Sequence, residues 1–108
     1  MTNDVVLILT TVADDSDPEA LARTLVEERL AACVNVSAPM RSLYRWQDAV
    51  HSEGERQLVI KTVRGRIRDV EARLRALHAY ELPEFLVVSI EQGSEAYVRW
   101  VTESATGV

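Results

Sequence analysis

Cys33 is the single cysteine among 108 residues, so no intrachain disulfide forms, and neither a CxxC pair nor a zinc-finger framework is present. Familiar catalytic signatures are missing too: there is no GxSxG elbow, no GxGxxG or GxxxxGK phosphate loop, and no HExxH metal helix. An enzyme is therefore the least supported class, and no catalytic residue is assigned. Long apolar runs are absent. Val5 to Leu9 falls far short of the roughly 20 residues that span a bilayer, and it follows Asp4 rather than a basic segment. No membrane partner is expected, and the chain reads as cytoplasmic, with its thiol reduced. Lysine is almost absent, Lys61 standing alone beside eleven arginines, and acids outnumber bases 17 to 12 for a net charge of -5. Neutralising a polyanion requires clustered basic charge, so nucleic acid is a poor partner.

With 47% hydrophobic and 27% charged residues the composition is that of an ordinary globular protein, and the length suits one domain over residues 1–108. Val5 to Leu9 is continuously apolar and β-branched, the pattern of a central strand covered on both faces. Ser16-Asp17-Pro18-Glu19 supplies a cap, a first-turn proline and an acid at the positive end of a helix whose stripe is Leu21, Ala22, Leu25, Val26 and Leu30. From Ala32 to about Trp46 the pattern is β, with a bulge or bend expected at Pro39, which donates no ladder hydrogen bond. Arg56 to Val63 alternates again, so these two long strands form a hairpin. A second helix follows Gly65 with the stripe Ile67, Val70, Leu74 and Leu77, supported by Asp69–Arg73 and Glu71–Arg75 pairs. Phe85 to Ile90 reads as another buried strand. Gly93-Ser94 caps a short last helix with Tyr97, Trp100 and Val101, and Thr106 to Val108 reads as a loose tail.

The order strand, helix, strand, strand, helix, strand, helix predicts an α+β, ferredoxin-like sandwich: βαββαβ plus a C-terminal helix, with a long hairpin in an antiparallel sheet. The hairpin carries Tyr44, Trp46 and Val50 and exceeds what so small a core needs. Part of that apolar surface is expected to meet another subunit.

Few residues bear chemistry. Cys33 in Ala31-Ala32-Cys33-Val34 reads first as a plain buried cysteine. His51, Glu53 and Glu55 share strand parity, a spacing suited either to a borderline divalent cation or to a polar tip facing water, with Gly54 interrupting the alternation. His78 ends the second helix, where a cationic imidazolium or a simple C-cap would fit, and Tyr80-Glu81 follow at once. Lys61 lies mid-strand among apolar residues, as a specific amine or as a snorkelling stem.

Five stretches together resemble the CutA divalent-cation-tolerance family: Glu28 to Asn35, Ser42 to Trp46, Glu55 to Thr62, His78 to Glu84, and Tyr97 to Trp100. The resemblance spans nearly the whole chain. It implies a homotrimer, a role in tolerance to copper and other divalent cations, no obligatory cofactor, and a metal ion or small molecule as partner. Carried over by position, it implies an inter-subunit cleft with Asn35, Tyr44, Trp46, Lys61, Tyr80, Glu81 and Trp100 for a ligand. Cys33, Glu55 and His78 would serve a metal, with His51 and Glu53 as weaker candidates. The trimer design also resembles that of PII signalling proteins, which implies a sensor of a metabolite or nucleotide as the alternative; a purely structural scaffold is a third. The chain departs from the family pattern at Ala79, where proline is usual, at Asp48, where glycine is common, and at His51, where an acid is frequent. The additional cysteines of some members are absent, which excludes copper(I) held by several thiolates of one subunit.

Overall fold

The computed structural model describes residues 3–77 and 80–107. One sheet of five strands forms its frame. Strand β1 (Val5–Ala13) lies between β4 (Ala49–Val63) and β5 (Leu86–Ser89), while β2 (Cys33–Val36) and β3 (Met40–Trp46) follow one another along β4. All pairings are antiparallel, and β1 against β4 runs in unbroken register from Val5↔Val63 to Ala13↔Glu55. With helices α1 (Pro18–Glu27) and α2 (Ile67–Leu77) inserted between strands and α3 (Glu95–Thr106) appended, this is the expected ferredoxin-like order.

Alternation along the strands sorts the two faces. Val6, Ile8 and Val12 of β1 meet Leu58 and Ile60 of β4, Leu25 of α1 and Val70 and Leu74 of α2 in the main core. On the other face α3 covers only one end, where Val101 and Ala105 pack on Val5, Val63 and Ala32. Leu7, Leu9 and Val59, further along that face, are half-buried. The apolar run of β1 therefore has cover on both sides at only one end.

Several expectations change in detail. The single β stretch from Ala32 to Trp46 is two strands, broken around Pro39 as its missing donor dictates. The β3–β4 turn has Gln47 and Asp48 both at positive φ, 51° and 63°, as a two-residue type I′ turn requires; aspartate tolerates that region without glycine. Gly54 does not interrupt the alternation, for it pairs in register with Arg41. Val26 is not part of the buried stripe of α1 but 40% exposed. Asp17 is the cap, its Oδ1 accepting from Ala20 N at 3.1 Å. In α2 the Glu71–Arg75 pair forms at 3.3 Å, but Arg73 reaches across to Glu28 at 2.8 and 2.9 Å, leaving Asp69 to Arg66. Thr106 is not tail: it ends α3, and Gly107 caps it in the left-handed region at φ 77°.

The largest departure is β5. It is an edge strand exposed along its whole length, with Leu86 56%, Val87 38% and Val88 42% accessible. Leu86 and Val88 pair with Leu9 and Leu7, so they extend the uncovered face rather than the core. The β3–β4 hairpin also stands away from the body. The Cα radius of gyration is 14.6 Å, against about 13 Å for a compact domain of this length.

Candidate functional site

The register of β3 on β4 places Met40, Ser42, Tyr44 and Trp46 on the same face as Glu55, Glu53, His51 and Ala49. Thr11 and Gln57 continue that face toward the body. The segment from Tyr80 to Glu84 then lies over it and closes a cleft of about 660 Å³, with Thr11, Met40, Tyr44, Trp46, Glu55, Tyr80, Glu81 and Glu84 among its walls.

Glu55 is at its centre. It is 7% exposed, and its carboxylate accepts a hydrogen bond from the Tyr80 phenol. None of the ion pairs among the described residues involves it. The Tyr80 phenol is held far above its ordinary pKa, first by burial, then by the bond to Glu55 and by the nearby negative charge. Tyr44 is shifted the same way by local desolvation and by Glu53 and Glu55. Tyr80 thus stays protonated and donating in the fold while an unfolded phenol ionises near pH 10. Its contribution to stability is complete below that pH and is lost as the pH rises further. Tyr80→Phe is expected to flatten the fall in thermal midpoint between about pH 9 and pH 11; identical alkaline slopes for the two proteins would contradict this linkage.

The residues singled out from the sequence fall into two groups. Tyr44, Trp46, Glu55, Tyr80 and Glu81 meet in the cleft. Cys33, Asn35 and Lys61 lie at the other end of the same face, Cys33 directly opposite Lys61. Lys61 Nζ is 3.5 Å from the Tyr97 hydroxyl and 5.8 Å from its ring centre, and Tyr97 packs beside Trp100 at 5.4 Å. Lys61 lies six positions along β4 from Glu55, about 20 Å at the usual rise. One chain therefore does not bring Cys33 and Glu55 to one ion. Cys33 is half-buried rather than sealed in the core.

His51 stacks on Tyr44, centroids 5.6 Å apart, with its Nε2 3.2 Å from the Trp46 carbonyl oxygen. Glu53 is exposed opposite Ser42. No cluster of three metal-ligating side chains occurs among the described residues. His78 lies outside them. Sequence reasoning did not single out Thr11, Met40, Ser42, Gln57 and Glu84. Cross-strand parity would have supplied Met40 and Ser42 once the hairpin register was known, whereas Glu84 needed the path of the chain after α2.

These features define a class: a ferredoxin-like α+β subunit with an acidic, aromatic cleft between its long hairpin and the Tyr80–Glu84 segment. The family model described as CutA1 divalent ion tolerance protein matches residues 6–104. The chain is 38% identical over 98 residues to the divalent-cation tolerance protein CutA of Thermus thermophilus, covering 91% of this chain and 95% of that one. It is 33% identical to the chloroplastic protein CutA of Arabidopsis thaliana, of whose length it spans 54%. Among solved structures, CutA from Xylella fastidiosa superposes with a TM-score of 0.90 at 40% identity, covering 95% and 99% of the two chains. A periplasmic divalent cation tolerance protein CutA from Archaeoglobus fulgidus superposes at 0.88 with 28% identity, covering 94% and 98%. The chain belongs to the CutA1 divalent ion tolerance family. No helix among the described residues is long and apolar enough to cross a membrane.

Proposed function

We propose that this chain works in the cytoplasm as a homotrimeric divalent-cation tolerance protein, a binding protein and not an enzyme. It would respond to copper and related ions by holding a metal ion or small ligand in clefts between subunits. One observation carries the reading: the apolar half-face of Leu7, Leu9, Val59, Leu86 and Val88, continuous with an unpaired strand edge and adjoining the Glu55 cleft. An exposed, apolar edge strand is unfavourable in a free monomer, and a second copy relieves it. A metal site from Cys33, Glu55 and His78 then requires more than one chain, since Cys33 and Glu55 lie far apart along β4.

Calorimetric titration with copper(II) and zinc tests the metal arm. The expected result is affinity well below millimolar, weakened about tenfold or more in Cys33→Ser and in His78→Ala. Binding no tighter than millimolar, or untouched by both substitutions, removes direct metal coordination. The cleft itself favours a second reading, a PII-like sensor of a small organic ligand, because its volume and its three aromatic walls suit a compact molecule. The scaffold reading has no comparable feature to support it.

A further inference from the structure

The segment from Tyr80 to Glu84 is a wall common to two cavities. On one side is the Glu55 cleft; on the other, a cavity of about 510 Å³ is bounded by Thr10, Glu71, Leu74, Arg75 and Phe85. Thr10 and Thr11 are successive residues of β1 and belong to opposite faces, Thr11 lining the cleft and Thr10 the second cavity. Ladder pairing of β5 on β1 ends at Leu86↔Leu9, and Tyr80 to Phe85 form neither helix nor strand.

The two sides of this segment are held unequally. Toward the hairpin, the Tyr80 phenol donates to Glu55. Toward α2, Glu84 Oε2 and Thr10 Oγ1 have no hydrogen-bond partner, although both atoms are sealed from solvent and Thr10 is 0% exposed. Buried hydroxyls and carboxylates ordinarily find one, and atoms closed off within one chain gain none from a neighbouring copy unless the chain itself moves. Complementary groups are at hand. A threonine hydroxyl donates, a carboxylate accepts, and Arg75 lines the same cavity. Its guanidinium meets Glu71 at 3.3 Å in a largely exposed i,i+4 pair, a weak class of contact. Thr10 shares its parity with Val6, Ile8 and Val12, so this cavity is on the helix-covered face and not on the face proposed to join copies.

We propose that the Tyr80–Glu84 segment is a strap with two positions. In the first, described above, Tyr80 is bonded to Glu55 and the cavity beside α2 is open. In the second the strap settles toward α2, Glu84 accepts from the Thr10 hydroxyl and the Arg75 guanidinium, and Tyr80 withdraws from Glu55. Each position forms hydrogen bonds that the other lacks, which keeps both within reach. Settling toward α2 frees the Glu55 carboxylate, so the strap controls entry to the cleft; this rests on the reading of that cleft as a ligand site.

Amide relaxation dispersion on the full chain, with no ligand added, tests it. Glu55, Glu84 and Phe85 are expected to share one exchange process on the microsecond-to-millisecond scale. Tyr80→Phe, which removes the bond of the first position, should raise the minor population about tenfold. Thr10→Val and Arg75→Gln, which remove donors of the second, should each lower it by about the same factor. Arg75 is exposed and the Thr10 hydroxyl is unpartnered, so neither variant threatens the fold. No exchange in the segment, in the parent chain and in Tyr80→Phe alike, overturns the proposal. Exchange that Thr10→Val and Arg75→Gln both leave unchanged overturns it too, because the motion then uses other partners. Neither result bears on whether the cleft takes a ligand, which titration measures separately.

Discussion

Val88→Asp is expected to turn the proposed trimer into monomers that remain folded. Val88 sits on the edge strand β5 opposite Leu7, 42% exposed in the single chain, so a carboxylate there meets water and costs the isolated fold little. On the proposed reading, the same carboxylate would be buried between subunits beside Leu7, Leu9 and Leu86. Burying an unpaired charge costs several kcal/mol or more, and in a symmetric trimer that penalty recurs at every interface. Sedimentation velocity at micromolar concentration reads the outcome, and circular dichroism confirms the retained fold. A trimer that tolerates Val88→Asp would place the subunit contact somewhere other than this face.

The second large effect lies within the chain. Leu25→Ala is expected to destabilise by about 2–5 kcal/mol, because Leu25 is 0% exposed and fills the space between α1 and the strands bearing Ile8, Leu58 and Ile60. Its backbone carbonyl also accepts from Leu30 and Ala31, so the end of α1 and the entry to β2 hang on this turn. That loss is a large share of the about 5–15 kcal/mol by which domains are stable. Val26→Ala, one position along and 40% exposed, should cost well under about 1 kcal/mol. Urea titrations of both variants at one fixed protein concentration make the comparison, because the proposed subunit association would add to apparent stability. Equal costs at the two positions would contradict the assignment of the buried stripe.

The contrast between Leu25 and Val26 shows where the sequence was legible. Helical spacing marks a stripe, but a residue at its margin is buried or exposed according to what packs beside it, which spacing alone does not contain. The same holds for Arg73. Its i,i−4 partner Asp69 was visible in the sequence, but Glu28, 45 residues away, offers a bidentate geometry that the local pair does not. Strand periodicity was the more informative signal. It placed His51, Glu53 and Glu55 on one face, and the apolar run Val5 to Leu9 correctly gave β1 an inner position.

That run also anticipated cover on both faces, and Phe85 to Ile90 read as buried. In one chain Leu7 and Leu9 are only half covered, and β5 is exposed throughout. A sequence composed for an assembly carries its apolar pattern whether or not the partner is present, and on the proposed reading these two mismatches have one cause. The cleft was less legible than the fold. Tyr80 reaching Glu55 across 25 residues depends on the path after α2, and a hydrogen bond between residues so distant in sequence leaves no periodic trace.

The mass of the unmodified protein in solution, measured by light scattering from low to high micromolar concentration, tests the central claim most directly. Three times the chain mass is expected at every concentration, with the face of Leu7, Leu9, Leu86 and Val88 buried between copies. A stable, folded monomer across that range would contradict it.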